Sequence, residues 1–469
     1  MRDSGDAPCA RTDTVAGPTA MIVAPFWSNR QFVGSYRVER FVRWLSTDGI
    51  RAVLVTAGET EYVKTMPWGY EVSVVDPFSS AFMRVRRTWS RAVAHFDRSH
   101  CPVKELDDRN SESASKRRLK NLALSASQML LSPDPGVLWG RRILNHPSVL
   151  RLGRQVRFVL ASGPPESAYL SAGALAERFG AEFIVDMRDG WLDEPLKANL
   201  LQFAVARWRE GRLEARILRQ ARRILVTSEL WKEMLERRLP LVRGKVTVLT
   251  NAYRPDCRGE GAAMRRARTS ACVRLLHLGR FEASRHTQSA AHLLAPLLEG
   301  MRGAASPPKG EITLLGGLRR RELDALNIWQ REFQSIGWTL QAMPAVPRER
   351  TTEYLDAADG LLLLSACHAP IPSKLFDYLP TKKPILNVGL EGNAVWRVCE
   401  RLPQVFSADC RRPESAARVV QRFMEACSGD VAYECIVPES YTEEHLRDVF
   451  RSVLAELSAL PIPVDAVHF

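Results

Sequence analysis

Lys374 and Asp377 stand three residues apart in PSKLFDYLPTKKPILNV (372–388), just after the apolar run GLLLLS (360–365). At helical spacing a cation and a carboxylate so placed share one face of a turn. Behind a strand, such a turn can hold a phosphorylated ligand, because the free N–H groups and dipole of a helix start attract anions. The same pair could be a solvated surface pair, so the other loops must decide between the two.

Several of those loops carry suitable groups. HLGRFEASRH (277–286) follows a strand pattern with Gly279 and Arg280, and Arg285 comes five residues later. Paired guanidinium forks match the oxygens of a diphosphate. LLGGLRRR adds Gly316 and Gly317, where bare backbone can lie under a flat or bulky group. APFWSNRQFVGSYR places Gly34, Ser35 and Arg37 just before a helix, where a plain turn is the simpler alternative. IVDMRDGWLDEP crowds Asp186, Arg188 and Asp189 at a strand end beside Trp191. Charges that close are costly unless they pair or bind something, so an Asp/Arg cluster or a ligand site is implied. ASGPPESAYL reads as a turn with Ser167 capping a helix, and His286 and His368 lie in further loops, where a lone His is more often structural. No G-x-G-x-x-G fingerprint occurs, which argues against a nicotinamide or flavin cofactor.

These loops need elements to position them, and the chain supplies strands alternating with helices. MIVAPF, RAVLVTAG, RFVLASG, EFIVDM, RRILVTS and KVTVLTN form one series of apolar runs. VRLLHLG, EITLLGG, WTLQAM, GLLLLS and KPILNV form a second. The alternation predicts parallel βαβ units with both sheet faces covered, hence an α/β fold of two doubly wound halves. The expected organisation is a disordered lead-in (1–19), a first Rossmann-like domain (20–250), an Arg/Gly-rich connection (251–270), a second Rossmann-like domain (271–438) and a closing amphipathic helix (439–469) with Thr442 as its cap. In open α/β sheets ligands bind beyond the carboxyl ends of the strands, where the loops above lie.

Composition narrows the class. The 469 residues are 45% hydrophobic and 25% charged, as in a soluble globular protein. Nine cysteines without a C-x-x-C pair suggest neither a disulfide framework nor a zinc site, and fit a reducing cytosol. The polar N-terminus lacks the apolar core of a signal peptide, and no run reaches transmembrane length. The net charge is +13, and residues 84–157 hold most of the excess, with sixteen Lys or Arg against six Asp or Glu. Nucleic acid, an anionic membrane surface or an acidic ligand would each suit such a segment. Within it, KRRLKNLALSASQMLL (116–131) puts an apolar face behind a basic cluster, as an interfacial helix or a core-facing one would. An aromatic-rich RNA-binding pattern or zinc finger is absent, which argues against nucleic acid.

Taken in order, SGPPESAYLSAGALAERFGAEFIVDMRDGW, RRILVTSELWKEML, KVTVLTNAY, LLHLGRFEASRH and YLDAADGLLLLS with IPSKLFDYLPTKKPILNV resemble the GT-B glycosyltransferases, specifically retaining family 4, over about residues 20–457. The resemblance implies two Rossmann-like domains facing a cleft, a nucleotide-sugar donor held by the second and an acceptor, a glycan or a lipid-linked sugar, held by the first. It assigns Asp189, Arg280 and Lys374 to catalysis, with Asp189 facing the sugar. Gly279, Arg285, Gly316, Ser373 and Asp377 would bind the donor, Asp377 taking the second acidic position of the Glu-x7-Glu motif near the ribose. Gly34, Ser35, Arg37 and Arg188 would serve the acceptor, and the last helix would brace the first domain. Two positions depart from the pattern: Ala369 stands where many relatives have the first Glu, and NAYR, ending in Arg254, replaces Asn-Gly-x-Asp.

The implied chemistry is substitution at an anomeric carbon with retention, through an oxocarbenium-like transition state, with basic side chains neutralising the departing diphosphate. No metal or other cofactor is expected. The basic segment suggests a cytoplasmic protein, peripheral at the inner face of a membrane. A sugar-nucleotide epimerase shares the architecture, and a degenerate GT-B protein acting as a partner subunit is the alternative that Ala369 and Arg254 raise.

Overall fold

The computed structural model describes residues 19–28, 33–77, 132–193, 204–253, 272–279, 290–303, 309–316, 318, 320–365, 367–429 and 433–458. The stretch 116–131, the connection from Arg254 onward, Arg280, Arg285, His286 and Gly317 lie outside these residues. The described residues fall into two compact units, 19–77 with 134–183, and 132–133 with 184–458.

The first unit carries β1 (Thr19–Val23), α1 (Val33–Thr47), β2 (Arg51–Gly58), β3 (Tyr62–Met66), β4 (Gly69–Val75), α2 (Val137–Ile143), α3 (Pro147–Gly153), β5 (Val156–Gly163) and α4 (Ser167–Phe179). Its strands run in the order β3-β4-β2-β1-β5. All five residues of β1 are buried, as expected of a central parallel strand covered on both faces. The β3–β4 hairpin has no counterpart among the apolar runs: β3 is largely exposed and antiparallel at the sheet edge, and β4, though mostly buried, has Glu71 and Ser73 interrupting its valines. Its two-residue turn ends at Gly69, whose φ of +138° and approach to the Ala52 carbonyl leave no room for a Cβ.

The start of α4 corrects the expected cap. Ser167 is the first helical residue, and the capping acceptor is Asp134: its carboxylate receives the Ser167 N–H at 2.8 Å, the Ser167 hydroxyl at 2.7 Å and the Gly136 N–H at 2.8 Å. A carboxylate at the positive end of a helix satisfies orphan donors and the dipole together. Its position, 33 residues upstream, hides it from any local capping pattern.

From Ile184, within β6 (Glu182–Met187), the second unit runs on through α5 (Ala204–Gln220), β7 (Arg223–Val226), α6 (Glu229–Arg238) and β8 (Val246–Val248). β6 pairs parallel to β7, and β7 to β8. Next come β9 (Val273–Leu278), α7 (Ala290–Arg302), β10 (Gly310–Leu315), α8 (Arg320–Gln334), β11 (Trp338–Met343), α9 (Arg348–Ala357), β12 (Gly360–Ser365), α10 (Ser373–Tyr378), β13 (Ile385–Gly389), α11 (Ala394–Cys399), β14 (Val405–Asp409), α12 (Pro413–Ser428) and α13 (Glu443–Ser458). The sheet β11-β10-β9-β12-β13-β14 is parallel throughout. GLLLLS forms β12 and shows why it reads as a continuous apolar run. Leu362 and Leu364 pack with Leu293, Leu297 and Phe423, whereas Leu361 and Leu363 pack with Leu375, Phe376 and Val395. Both faces are therefore core, as in a doubly wound sheet.

β14, α11 and α12 extend this domain beyond the apolar runs found in the sequence. α12 lies close on α7, where a Cβ on Gly300 would meet Val420. Thr442 caps α13 as expected, accepting the His445 N–H at 3.2 Å, and Glu456 near the end of that helix bonds Arg223 of β7. Among the described residues no helix is long and apolar enough to cross a membrane.

Asp134→Ala removes three hydrogen bonds to one carboxylate and is expected to lower the unfolding free energy by about 1–3 kcal/mol, read as a reduced denaturation midpoint. An unchanged midpoint would show that solvent replaces the cap.

Candidate functional site

In the second sheet β9 precedes the other strands in sequence yet lies between β10 and β12, so the order reverses at the β9–β12 junction. Ligands of open α/β sheets bind at such a reversal, beyond the carboxyl ends. β9 and β12 pair at Leu275–Gly360 and Leu276–Leu361 and then separate. Had the ladder continued, the Leu278 N–H would donate to the Leu362 carbonyl. The Tyr378 hydroxyl stands between them instead, accepting from Leu278 N at 2.9 Å and donating to Leu362 O at 3.2 Å.

His277 completes the bridge. Its imidazole is fully buried, and Nδ1 lies 3.0 Å from the same Leu362 carbonyl. A carbonyl can only accept, so Nδ1 carries the proton and Nε2 presents a lone pair. That lone pair meets Lys374 Nζ at 3.1 Å. Burial first, and then the neighbouring Lys374 charge, push the His277 pKa well below its ordinary value. A neutral imidazole thus receives the ammonium and aims it.

Lys374 is half-buried at the first turn of α10. Desolvation lowers its pKa to about 7, against the opposing pull of Asp377. Its Nζ would lie 3.7 Å from a Cβ on Gly279, so the ammonium sits beside bare backbone at the end of β9. Gly279 has φ +79° and donates its N–H to the Leu315 carbonyl at 2.6 Å. Gly316 has φ +143°, and a Cβ there would fall 2.6 Å from Gly279 Cα. Close approach of the two strand ends thus requires the glycine at 316, whereas at Gly279 a Cβ would have room and the left-handed φ is what favours glycine.

The loop from β12 to α10 is held from two sides. Asn393 donates Nδ2 to the Ser365 carbonyl and, at 3.0 Å, to the Cys367 carbonyl, while its Oδ1 caps α11 at Trp396 N. The Ser228 hydroxyl accepts from Trp231 N and donates to the Ala369 carbonyl at 2.7 Å. Ala369 is buried and His368 beside it is exposed. The other lysines of the motif are structural: Lys383 Nζ reaches the Leu355, Asp356 and Ala358 carbonyls at the end of α9, and Lys382 adopts a left-handed turn with φ 55°.

The structure therefore brings together Gly279, Gly316 and Lys374, with Ser373 and Asp377 in the same short helix as Lys374. Elsewhere, Gly34, Ser35 and Arg37 fall inside α1 rather than before it. The Ser35 hydroxyl donates to the Phe26 carbonyl at 3.0 Å, and Arg37 is buried with its guanidinium 5.5 Å from the Phe41 ring centroid. Arg188 and Asp189 follow β6, and the Arg188 carbonyl lies 3.4 Å from the Thr227 hydroxyl. Trp191 in the same loop donates to Glu210 at 2.6 Å. Arg238 bridges Asp193 and Glu214, whose attraction outweighs burial and keeps the guanidinium firmly charged.

No family model and no curated protein matches the chain. Solved structures do. Sucrose-phosphate synthase from Thermosynechococcus elongatus aligns at a TM-score of 0.57 and 12% identity, over 94% of this chain and 99% of that one. The α,α-trehalose 6-phosphate synthase from Burkholderia multivorans gives 0.57 and 11%, over 94% and 99%. HepE from Anabaena, in complex with UDP and glucose, gives 0.53 and 10%, over 94% and 100%. At these identities the likeness shows the fold: α/β, with two Rossmann-like doubly wound domains in the GT-B architecture.

Tyr378→Phe would strand the Leu278 N–H in a buried gap. A loss of about 1–3 kcal/mol of unfolding free energy is expected, measured by chemical denaturation. A neutral result would mean that β9 and β12 close the gap themselves.

Proposed function

We propose that the chain is a glycosyltransferase, taking a sugar from a nucleotide-sugar donor held at the carboxyl ends of β9, β10 and β12. The observation that carries this is the Lys374 ammonium, aimed by neutral His277 and set beside Gly279 at the strand-order reversal. Support comes from the GT-B likeness and from HepE, which was solved with UDP and glucose.

In this proposal the donor diphosphate lies over Gly279 and Gly316, Lys374, Ser373, Arg280 and Arg285 bind it, and Asp377 serves the ribose. The bond between the anomeric carbon and the phosphate oxygen breaks, and its electron pair leaves with the diphosphate. Lys374 offers positive charge where that negative charge develops. The acceptor hydroxyl forms the new bond on the same face of the sugar, with retention, and its proton passes to the departing phosphate oxygen. Asp189 faces the sugar, and Gly34, Ser35, Arg37 and Arg188 serve the acceptor side. The acceptor is a glycan or a lipid-linked sugar, and the cationic segment 84–157 favours one presented at a membrane surface.

A lysine with its pKa lowered to about 7 gives this site a pH signature. Diphosphate binding raises that pKa, so binding takes up a proton. The charge contribution to affinity is full below the free-state pKa and falls by about tenfold per pH unit above it, until the pKa of the complex is reached. The experiment is a thermal-shift screen with UDP-, GDP-, ADP- and dTDP-sugars. One nucleotide family is expected to stabilise the protein, by a shift that weakens between about pH 7 and 9 and that Lys374→Ala abolishes. A shift that Lys374→Ala retains would place the donor elsewhere, and no shift with any of them would contradict the proposal.

A further inference from the structure

We propose that the exposed face of α5 docks on an anionic phospholipid membrane, with Val205 and Trp208 entering the headgroup layer and the arginines beside them meeting lipid phosphates. Val205, Trp208, Arg212, Arg216 and Arg219 recur at intervals of three and four residues, so they form one stripe along the helix. All five are exposed, Val205 at 61% and Trp208 at 62%. The stripe is about 20 Å long at the helical rise per residue. Arg207 and Arg209 flank it and are exposed as well.

The sign of the face follows from where the acids went. The helix holds two carboxylates, Glu210 and Glu214, and both are buried on its inner side. Glu210 accepts from Trp191 and from Ser132, and Glu214 is bridged to Arg238. No acid of α5 is left on the outer face to balance the arginines. The neighbouring helix α6 shows the usual alternative, mixing Lys232, Glu233, Glu236 and Arg237. Beyond the end of α5 the positive region continues at exposed Arg222, while Arg223 is paired with Glu456. Besides burial, the charges of Arg222, Arg219 and Arg223 lower the pKa of Lys245 there.

Charge alone would suit nucleic acid as well as lipid. The apolar end of the stripe favours lipid, since a bare valine and an indole beside it gain nothing from phosphodiesters but suit a bilayer interface. Arg212 stacks on the Trp208 ring at 5.0 Å, so the indole and a guanidinium are presented together. The inference rests on the proposed transferase only for what the membrane supplies, an acceptor; the binding is read without turnover.

The test is flotation of the full chain with phosphatidylcholine vesicles, plain or containing about one-third phosphatidylserine, at about 0.1 M salt. Binding is expected with the anionic vesicles only. Arg212→Glu with Arg216→Glu should reduce it at least about tenfold, and Trp208→Ser about threefold. Unfolding midpoints show that the variants fold. No binding to anionic vesicles, equal binding to plain ones, or binding that the double reversal retains would each overturn the inference. Binding of single-stranded RNA in place of vesicles would also overturn it and assign the face to nucleic acid. Nucleotide thermal shifts run alongside separate the two claims: vesicle binding lost with the shift intact strikes only this inference, and the reverse strikes only the transferase.

Discussion

One carbonyl oxygen, that of Leu362, organises the second domain. The strands on either side of the order reversal part after Leu276 and Leu361, which leaves a ladder donor and acceptor without each other in the protein interior. Such groups cost too much to bury unpaired. The chain resolves this with two side chains, the Tyr378 hydroxyl and the His277 imidazole, both held on Leu362 O. One consequence is chemical: with Nδ1 committed to the carbonyl, the other ring nitrogen can only accept, and Lys374 is what it accepts from.

The surroundings fix where that lysine stands. Tyr378 ends the same six-residue helix whose first turn holds Lys374, so the hydroxyl pinned in the sheet also sets the helix that carries the ammonium. Phe376 packs edge-on against Tyr441 at 5.4 Å, which ties α10 to the turn before α13. Asn393 and Ser228 hold the loop leading into it through three carbonyls. Gly316, lacking a Cβ, then lets its strand end approach Gly279 closely beside the ammonium. A half-buried cation, bare backbone and a fixed neutral acceptor form an arrangement preorganised for negative charge.

Much of this was legible in the sequence, and the limits have physical causes. The α/β class followed from continuous apolar runs such as GLLLLS, because a strand with both faces in the core has no polar alternation to blur it. β3 and β14 escaped for the opposite reason, as edge strands exposed or half-buried along most of their length. Lys374, Gly279 and Gly316 were visible as residue types in strand-end loops. His277 and Tyr378 were not, since their roles depend on partners about a hundred positions away in sequence. The one local hint was a histidine inside an otherwise apolar strand end, HLG. Asp134 escaped as the cap of α4 in the same way, and Ser167 offered a plausible local substitute. On α5, two acids four residues apart among five arginines could have been noticed, but only the fold shows that the acids turn inward.

The most direct test of the account is a crystal structure of the protein with the nucleoside diphosphate it binds best. The account predicts diphosphate oxygens within hydrogen-bonding distance of Lys374 Nζ and in contact with the Gly279 and Gly316 backbone, with His277 still bonded to Leu362 O. A nucleotide bound away from the carboxyl ends of β9 and β12, with Lys374 still turned to His277 alone, would contradict it.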